Sequence, residues 1–159
     1  MRKRFPKDER CAPSPLEGRS MNSPMKDRSN TLILFGITGD LAYKKLFPAL
    51  YELTVDGIRP RVIGVARSEG NDKTIRARVR EALAHHESAH VEDLVSRITY
   101  VQGDYTGSET YERLAEVVGD SEPVPVSFLA IPPALFDDVA TGLAGAGLDR
   151  GRIVVEKPF

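Results

Sequence analysis

Residues Thr31 to Ala42 read T-L-I-L-F-G-I-T-G-D-L-A, and no other stretch constrains the fold as tightly. Five apolar or β-branched residues, Thr31 to Phe35, run into Gly36; two residues intervene, and Gly39-Asp40 then opens a helix-like pattern. A buried strand that breaks at a glycine and turns straight into a helix is the phosphate-binding corner of dinucleotide folds. A Cβ at such a glycine would hold the backbone away from a pyrophosphate, while the helix start offers free N–H donors and partial positive charge. Gly36 and Gly39 are the only glycines of the usual G-x-G-x-x-G spacing present, with Ala42 as a small residue for the third position.

Strand and helix patterns alternate through the rest of the chain. A helix is predicted from Asp40 to about Asp56, with Pro48 expected to kink or divide it and Gly57 to end it. Arg61 to Ala66 reads as a second strand. Asn71 or Asp72 caps a charged helix to about His85, with Ile75, Val79 and Leu83 on one face. A short helix from about Val91 to Ser96 precedes a third strand, Ile98 to Val101. A helix from Ser108 to Val118 precedes a fourth, Val124 to Ala130. Pro133 starts a helix to about Ala146, ended by Gly145 and Gly147, and Arg152 to Glu156 is a fifth strand. Short continuous apolar strands alternating with helices predict an α/β fold: a Rossmann-type, doubly wound, mainly parallel sheet of about five strands.

Composition narrows the function classes. The chain has 159 residues, enough for one domain with a real core. A net charge of −1 argues against general nucleic-acid binding. No apolar run approaches the ~20 residues of a membrane span. The single cysteine, Cys11, excludes an internal disulfide and fits a reducing cytoplasm. Residues 1–30 carry eight Lys/Arg against four Asp/Glu, with four prolines and few apolar residues. They read as a disordered basic tail, with Met21 or Met25 a plausible natural start, and the dinucleotide-binding domain as 31–159.

Ligands of such sheets sit at the carboxyl ends of the strands. Past the first strand, Thr38 could offer its hydroxyl to a phosphate or cap the helix. Asp40 should hold the turn through backbone N–H groups, since like charge keeps it off a pyrophosphate. Past the second lie Arg67 and Ser68, where NAD-binding folds place an acid for the ribose 2′-hydroxyl. An arginine there suits the 2′-phosphate of NADP, which it can grip with two parallel hydrogen bonds, unless it is simply a solvated surface side chain. Past the third, Asp104 and Tyr105 could meet an adenosine or ribose edge, or form a plain turn. Past the fourth, Ala130-Ile131-Pro132-Pro133 is a stiff loop that could lie against a cofactor or merely start a helix. Past the fifth, Pro158 biases Lys157 to an extended conformation, and the Glu156-Lys157 pair suggests work on an anionic substrate.

Taken together, Gly36-Ile37-Thr38-Gly39-Asp40-Leu41-Ala42, Lys44-Lys45, Ala66-Arg67-Ser68, Ala130-Ile131-Pro132-Pro133 and Val155-Glu156-Lys157-Pro158-Phe159 resemble the coenzyme domain of the glucose-6-phosphate dehydrogenase family over about residues 31–159. The resemblance implies NADP as cofactor, with Gly36 to Leu41 at its pyrophosphate and Arg67 at its 2′-phosphate. It places Lys157 near nicotinamide and sugar, and Lys45 toward the phosphate of a sugar phosphate substrate. Phe128 stands where many members carry Tyr, and Tyr43 where a basic residue is common. The family's general base, a histidine in an H-Y-L-G-K-E-type motif on a second, substrate domain, has no counterpart here, and that domain is absent from these residues. Hydride transfer from a sugar C1 hydroxyl needs a base, and a lysine near its ordinary pKa of ~10.4 is protonated at neutral pH. The chain is therefore expected to bind NADP without turnover, unless the missing domain or another subunit joins it.

Two alternatives remain open. His86-Glu87-Ser88-Ala89-His90 matches H-E-x-x-H, which on a helix sets two imidazoles on one face of a zinc hydrolase, although the one other His, His85, directly precedes the motif and Glu109 or Glu112 would have to serve as third ligand. The chain could also be a non-catalytic NADP-binding remnant.

Overall fold

A computed structural model describes residues 30–120 and 124–157. The reading of the basic tail therefore lies outside the described residues, apart from Asn30, as do Pro158 and Phe159. The strands are β1 (Thr31–Phe35), β2 (Arg61–Ala66), β3 (Ile98–Gln102), β4 (Val126–Leu129) and β5 (Arg152–Val155), all paired in parallel in the order β3-β2-β1-β4-β5. The helices are α1 (Phe47–Val55), α2 (Asp72–Ala82), α3 (Ser88–Ser96), α4 (Ser108–Val118) and α5 (Phe136–Gly145).

The sheet is sandwiched, and alternation along β1 divides its core. Leu34 points into one cluster with Phe47, Leu50, Ile75, Val79, Leu94 and Ile98. Ile33 and Phe35 point into the other with Tyr111, Leu114, Val139 and Leu143. Parallel strands covered on both faces must be apolar on both, hence the unbroken run Leu32 to Phe35. The predicted face of α2 holds, with Ile75, Val79 and Leu83 buried, and α4 buries Tyr111, Leu114 and Val118. Gly142 lets α5 approach α4, since a Cβ there would collide with the Tyr111 ring.

Several boundaries move for physical reasons. The first predicted helix runs unbroken over residues 40–55, its turn Ala42–Leu46 widened to π-helical geometry just before α1 and Pro48. Phe47 N–H reaches back to the Ala42 carbonyl, and Pro48, at the start of α1, needs no partner because it has no N–H. Gly57, at φ +82°, ends α1 with Gly57 N–H on Thr54 O and Ile58 N–H on Leu53 O. Asn71 caps α2 by accepting from Thr74 N–H at 3.1 Å. That helix stops at Ala82 rather than His85, and α3 starts at Ser88 rather than Val91, because Glu87 is extended. β4 begins at Val126 rather than Val124, as Pro125 has no N–H to give the ladder. β5 ends at Val155 rather than Glu156, and a 3₁₀ turn, Pro133–Leu135, precedes α5, which stops at Gly145.

Candidate functional site

From β1 the chain winds one way to β2 and β3, then returns to lay β4 on the opposite side of β1 and continue outward to β5. Connections leaving β1 and β4 in opposite directions open a crevice between their carboxyl ends, the place where doubly wound sheets bind ligands.

Gly36 lies at this crevice. Its φ is +83°, and its N–H donates to Val65 O at 2.8 Å, tying the corner to β2. Ala130 N–H donates to Phe35 O at 2.9 Å, bringing the β4 loop against the same corner, and a Cβ on Gly36 would strike the Ala130 carbonyl. The turn closes through Gly39 N–H on Gly36 O at 2.9 Å, and Tyr43 N–H then takes Gly39 O at 3.2 Å. Ile37 and Ala42 are fully buried, so Ala42 fills the small-residue position beneath the helix start. Ile37 packs into the gap left by Gly64 inside β2, where a Cβ would collide with it. Gly39 and Leu41 are half-buried at the rim of the turn. This bare backbone corner, leading into a helix, fits a pyrophosphate.

Thr38 and Asp40 behave differently from their turn and cap expectations. The Thr38 hydroxyl lies 3.2 Å from that of Ser68, joining the β1 and β2 loops, and caps no helix. Asp40 is exposed and accepts from Lys44 Nζ at 3.3 Å, one helical turn along, rather than from backbone N–H groups. Lys45 is exposed on the π-helical turn.

Arg67 is exposed just past β2, its guanidinium 5.6 Å from the centre of the Tyr105 ring. Asp104 forms a turn, accepting from Thr106 N–H at 3.0 Å and from the Thr106 hydroxyl at 3.1 Å. Those bonds, with a smaller contribution from Arg67, hold its carboxyl below the usual range. Tyr105 is 5% exposed, with its hydroxyl turned inward to Val65 O at 3.4 Å. Burial raises its pKa, so it stays a donor. Arg67, Asp104 and Tyr105 thus form one group at the β2 and β3 ends, beside the crevice.

At the β4 and β5 ends a hollow of about 300 Å³ is lined by Leu41, Ala130, Pro132, Pro133, Phe136 and Lys157, among others. Glu156 also lines it, so the strand-end pair does face a cavity. Lys45 is not part of its wall.

The histidine motif is not arranged as a metal site. His86 precedes α3 and His90 lies within it, so no single helix carries both. Both rings pack edge-on against Tyr51, at centroid distances of 4.5 and 6.2 Å. No cluster of three or more metal-ligating side chains exists among the described residues. None of their helices is long and apolar enough to cross a membrane. Phe128, lacking a hydroxyl, packs against the Leu34 cluster, and the Tyr43 ring carries the Arg78 guanidinium at 4.8 Å.

Sequence reasoning overlooked Tyr100, which holds the loop that bears Arg67. Its one hydroxyl proton goes chiefly to Ser68 O at 2.5 Å and is shared with Ala66 O at 3.2 Å. Nothing local in the sequence marks it, since a tyrosine in a strand reads as core.

Residues 33–159 match the family model described as glucose-6-phosphate dehydrogenase, NAD binding domain. Glucose-6-phosphate 1-dehydrogenase 1 of Mycobacterium tuberculosis is 39% identical over 136 residues, covering 82% of this chain and 29% of that protein. The Kluyveromyces lactis glucose-6-phosphate 1-dehydrogenase is 32% identical over 152 residues, covering 84% of this chain and 30% of that protein. The crystal structure of glucose-6-phosphate 1-dehydrogenase from Mycobacterium avium superposes with TM-score 0.77 at 39% identity, covering 82% of this chain and 30% of that one. A glucose-6-phosphate dehydrogenase in complex with its substrate glucose-6-phosphate gives TM-score 0.71 at 33% identity, covering 82% and 31%. The chain therefore spans under a third of the length of these relatives.

Proposed function

Because the chain belongs to the glucose-6-phosphate dehydrogenase family through its NAD-binding domain, we propose that residues 31–159 form the NADP-binding domain of a cytoplasmic dehydrogenase acting on glucose 6-phosphate. The observation that carries this reading is the Gly36 corner. Its backbone is bare, pinned on both sides by Val65 and Ala130, and it leads into a helix start one strand from Arg67.

The residues divide the work by chemistry. The turn from Gly36 to Leu41 holds the pyrophosphate through main-chain amides other than those of Gly36 and Gly39, which bond within the corner, while the two glycines leave the approach open. Arg67 grips the 2′-phosphate with its guanidinium fork, aided by the Thr38 and Ser68 hydroxyls close by. Asp104 keeps Arg67 company as a counter-charge, and Tyr105 lies beneath it. Bound NADP supplies a hydride acceptor for the sugar C1. Lys157, in the hollow at the β5 end, orients sugar and nicotinamide, and Lys45 draws the substrate phosphate.

The chain's three histidines, His85, His86 and His90, lie between α2 and α3 or in α3, on connections that return to the amino ends of the strands. None can take a proton from a sugar at the crevice. These 159 residues are thus a binding unit whose base comes from elsewhere in the working enzyme.

Calorimetric titration with NADP and with NAD tests the reading. Saturable binding with preference for NADP is expected, together with no NADPH formation from glucose 6-phosphate. Absence of NADP binding by folded protein would overturn the site, and turnover by the isolated chain would overturn the missing base.

A further inference from the structure

An exposed arginine is a poor selector unless something holds it, because its side chain samples many rotamers before it meets a phosphate. Arg67 is held from two sides. Tyr100, in β3, donates its one hydroxyl proton chiefly to the carbonyl of Ser68, the residue after Arg67, at 2.5 Å, with the carbonyl of Ala66, the residue before it, sharing that proton at 3.2 Å. Its own backbone N–H donates to Asp72 Oδ1 at 2.7 Å, at the start of α2. The loop also lies on its ring, since a Cβ on Gly70 would come within 3.4 Å of Tyr100 Cε1. The other side is the ring of Tyr105, 5.6 Å below the guanidinium, within the range of a cation–π contact. Tyr105 is fixed in turn, because the Tyr111 hydroxyl donates to its carbonyl at 2.6 Å.

We infer that Tyr100 is a positioning residue for the 2′-phosphate site: its hydroxyl fixes the backbone just after Arg67 through the Ser68 carbonyl, and the Tyr105 ring fixes the guanidinium, so that the arginine is pre-set for NADP. The inference rests on the reading of Arg67 as the 2′-phosphate ligand. The hydroxyl is well suited to the task. Its residue is buried, and its main acceptor, Ser68 O, is a main-chain carbonyl that a change of the Arg67 loop must move. Burial also raises its pKa, so the donor persists through the physiological range.

Tyr100→Phe keeps the ring and removes the hydroxyl's bond to the loop, while Ala66 O keeps its bond from Gly103 N–H. The NADP dissociation constant is expected to rise about three- to tenfold, with that for NAD unchanged within about twofold. Tyr105→Leu keeps buried apolar bulk and removes the aromatic floor, and is expected to shift the same ratio in the same direction. Arg67→Ala serves as the reference: it should abolish the preference, and adding Tyr100→Phe to it should change NADP affinity no further. Thermal melts of each variant report folding separately.

Equal losses for NADP and NAD in Tyr100→Phe would show a general structural role and overturn the inference, as would no change in either. If Arg67→Ala abolishes the preference while both tyrosine variants keep it, the inference fails and the reading of Arg67 stands. If Arg67→Ala leaves the preference intact, that reading fails and takes the inference with it.

Discussion

The Gly36 amide donates to the Val65 carbonyl at 2.8 Å, so the glycine that frees β1 to turn also fastens that turn to the end of β2. Two independent penalties attach to a side chain there. At φ +83° an L-residue is strained by about 1–2 kcal/mol, and its Cβ would meet the carbonyl of Ala130, the residue whose N–H bonds Phe35 O. Gly36→Ala is expected to lower the melting temperature by several degrees and abolish NADP binding. Gly39→Ala meets only Gly36 O, at 3.2 Å, and should fold nearly normally while weakening NADP through its intrusion on the turn. Paired thermal melts and titrations separate the two effects, and equal melts for the two variants would contradict this account.

Arg67→Lys tests whether charge alone selects NADP. Lysine keeps the positive charge but loses the two-pronged fork and the flat face that lies over Tyr105. Its NADP affinity should fall between wild type and Arg67→Ala, with roughly 1 kcal/mol lost for each hydrogen bond not remade. Because Arg67 is exposed, the melting temperature should not move. Affinity equal to wild type would mean that the fork has no role.

How much of this site is legible from sequence follows from how local each feature is. The Gly36 corner, the Asn71 cap and the Gly57 stop are written within a few residues, and each is where its chemistry requires. Arg67 is legible because strand ends in such sheets are predictable. Tyr105 is likewise legible as a residue past a strand end, but Tyr100 is not, because its contacts depend on β2–β3 register, which aligns Gly64 with Tyr100 and Ala66 with Gln102 across more than thirty residues. Gly64 is not singled out by the sequence alone. A glycine inside a strand signals close approach, but only the fold reveals Ile37 as the neighbour. The H-E-x-x-H match misleads for the opposite reason: its spacing is local, but Glu87 is extended and α3 starts only after it.

Tyr111 should govern stability in alkali. Burial, foremost, pushes its pKa up to about 12 from an ordinary value near 10. The folded state therefore keeps a proton that the unfolded chain releases. Its contribution is intact below pH ~10 and is lost as pH climbs from about 10 toward about 12, on the order of 2 kcal/mol in all. Tyr111→Phe lacks this titration and should show a flatter fall in denaturant midpoint over that window, although it loses the bond to Tyr105 O at neutral pH. Parallel slopes for variant and wild type would assign the alkaline loss to other groups.

Arg97 ties the far end of the sheet together without touching the crevice. It donates to Pro60 O at 2.6 Å, to the Thr54 hydroxyl at 2.9 Å and to Asp93 O at 3.2 Å, joining α1, the β2 approach and α3. Arg97→Ala strands a partly buried carbonyl and should cost about 2–3 kcal/mol by denaturant titration. NADP affinity of the folded fraction should be unchanged, since none of these partners lies at a strand carboxyl end. A loss of affinity at full folding would show that the two ends are coupled.

β5 is the site most exposed to association. It pairs with β4 on one side, and Ile153, Val154 and Val155 are 47, 39 and 49% exposed, on both faces of the sheet. A parallel edge strand with apolar side chains on both faces is a template for a second chain. The 159-residue protein is expected to self-associate with rising concentration in light scattering. Ile153→Lys combined with Val154→Lys should shift it toward monomer, because charge at an open edge repels a partner while costing little where the side chains are already half in water. NADP binding should survive, because the Gly36 corner lies two strands away. Scattering that stays monomeric for wild type at high concentration would mean that this edge is already shielded in solution.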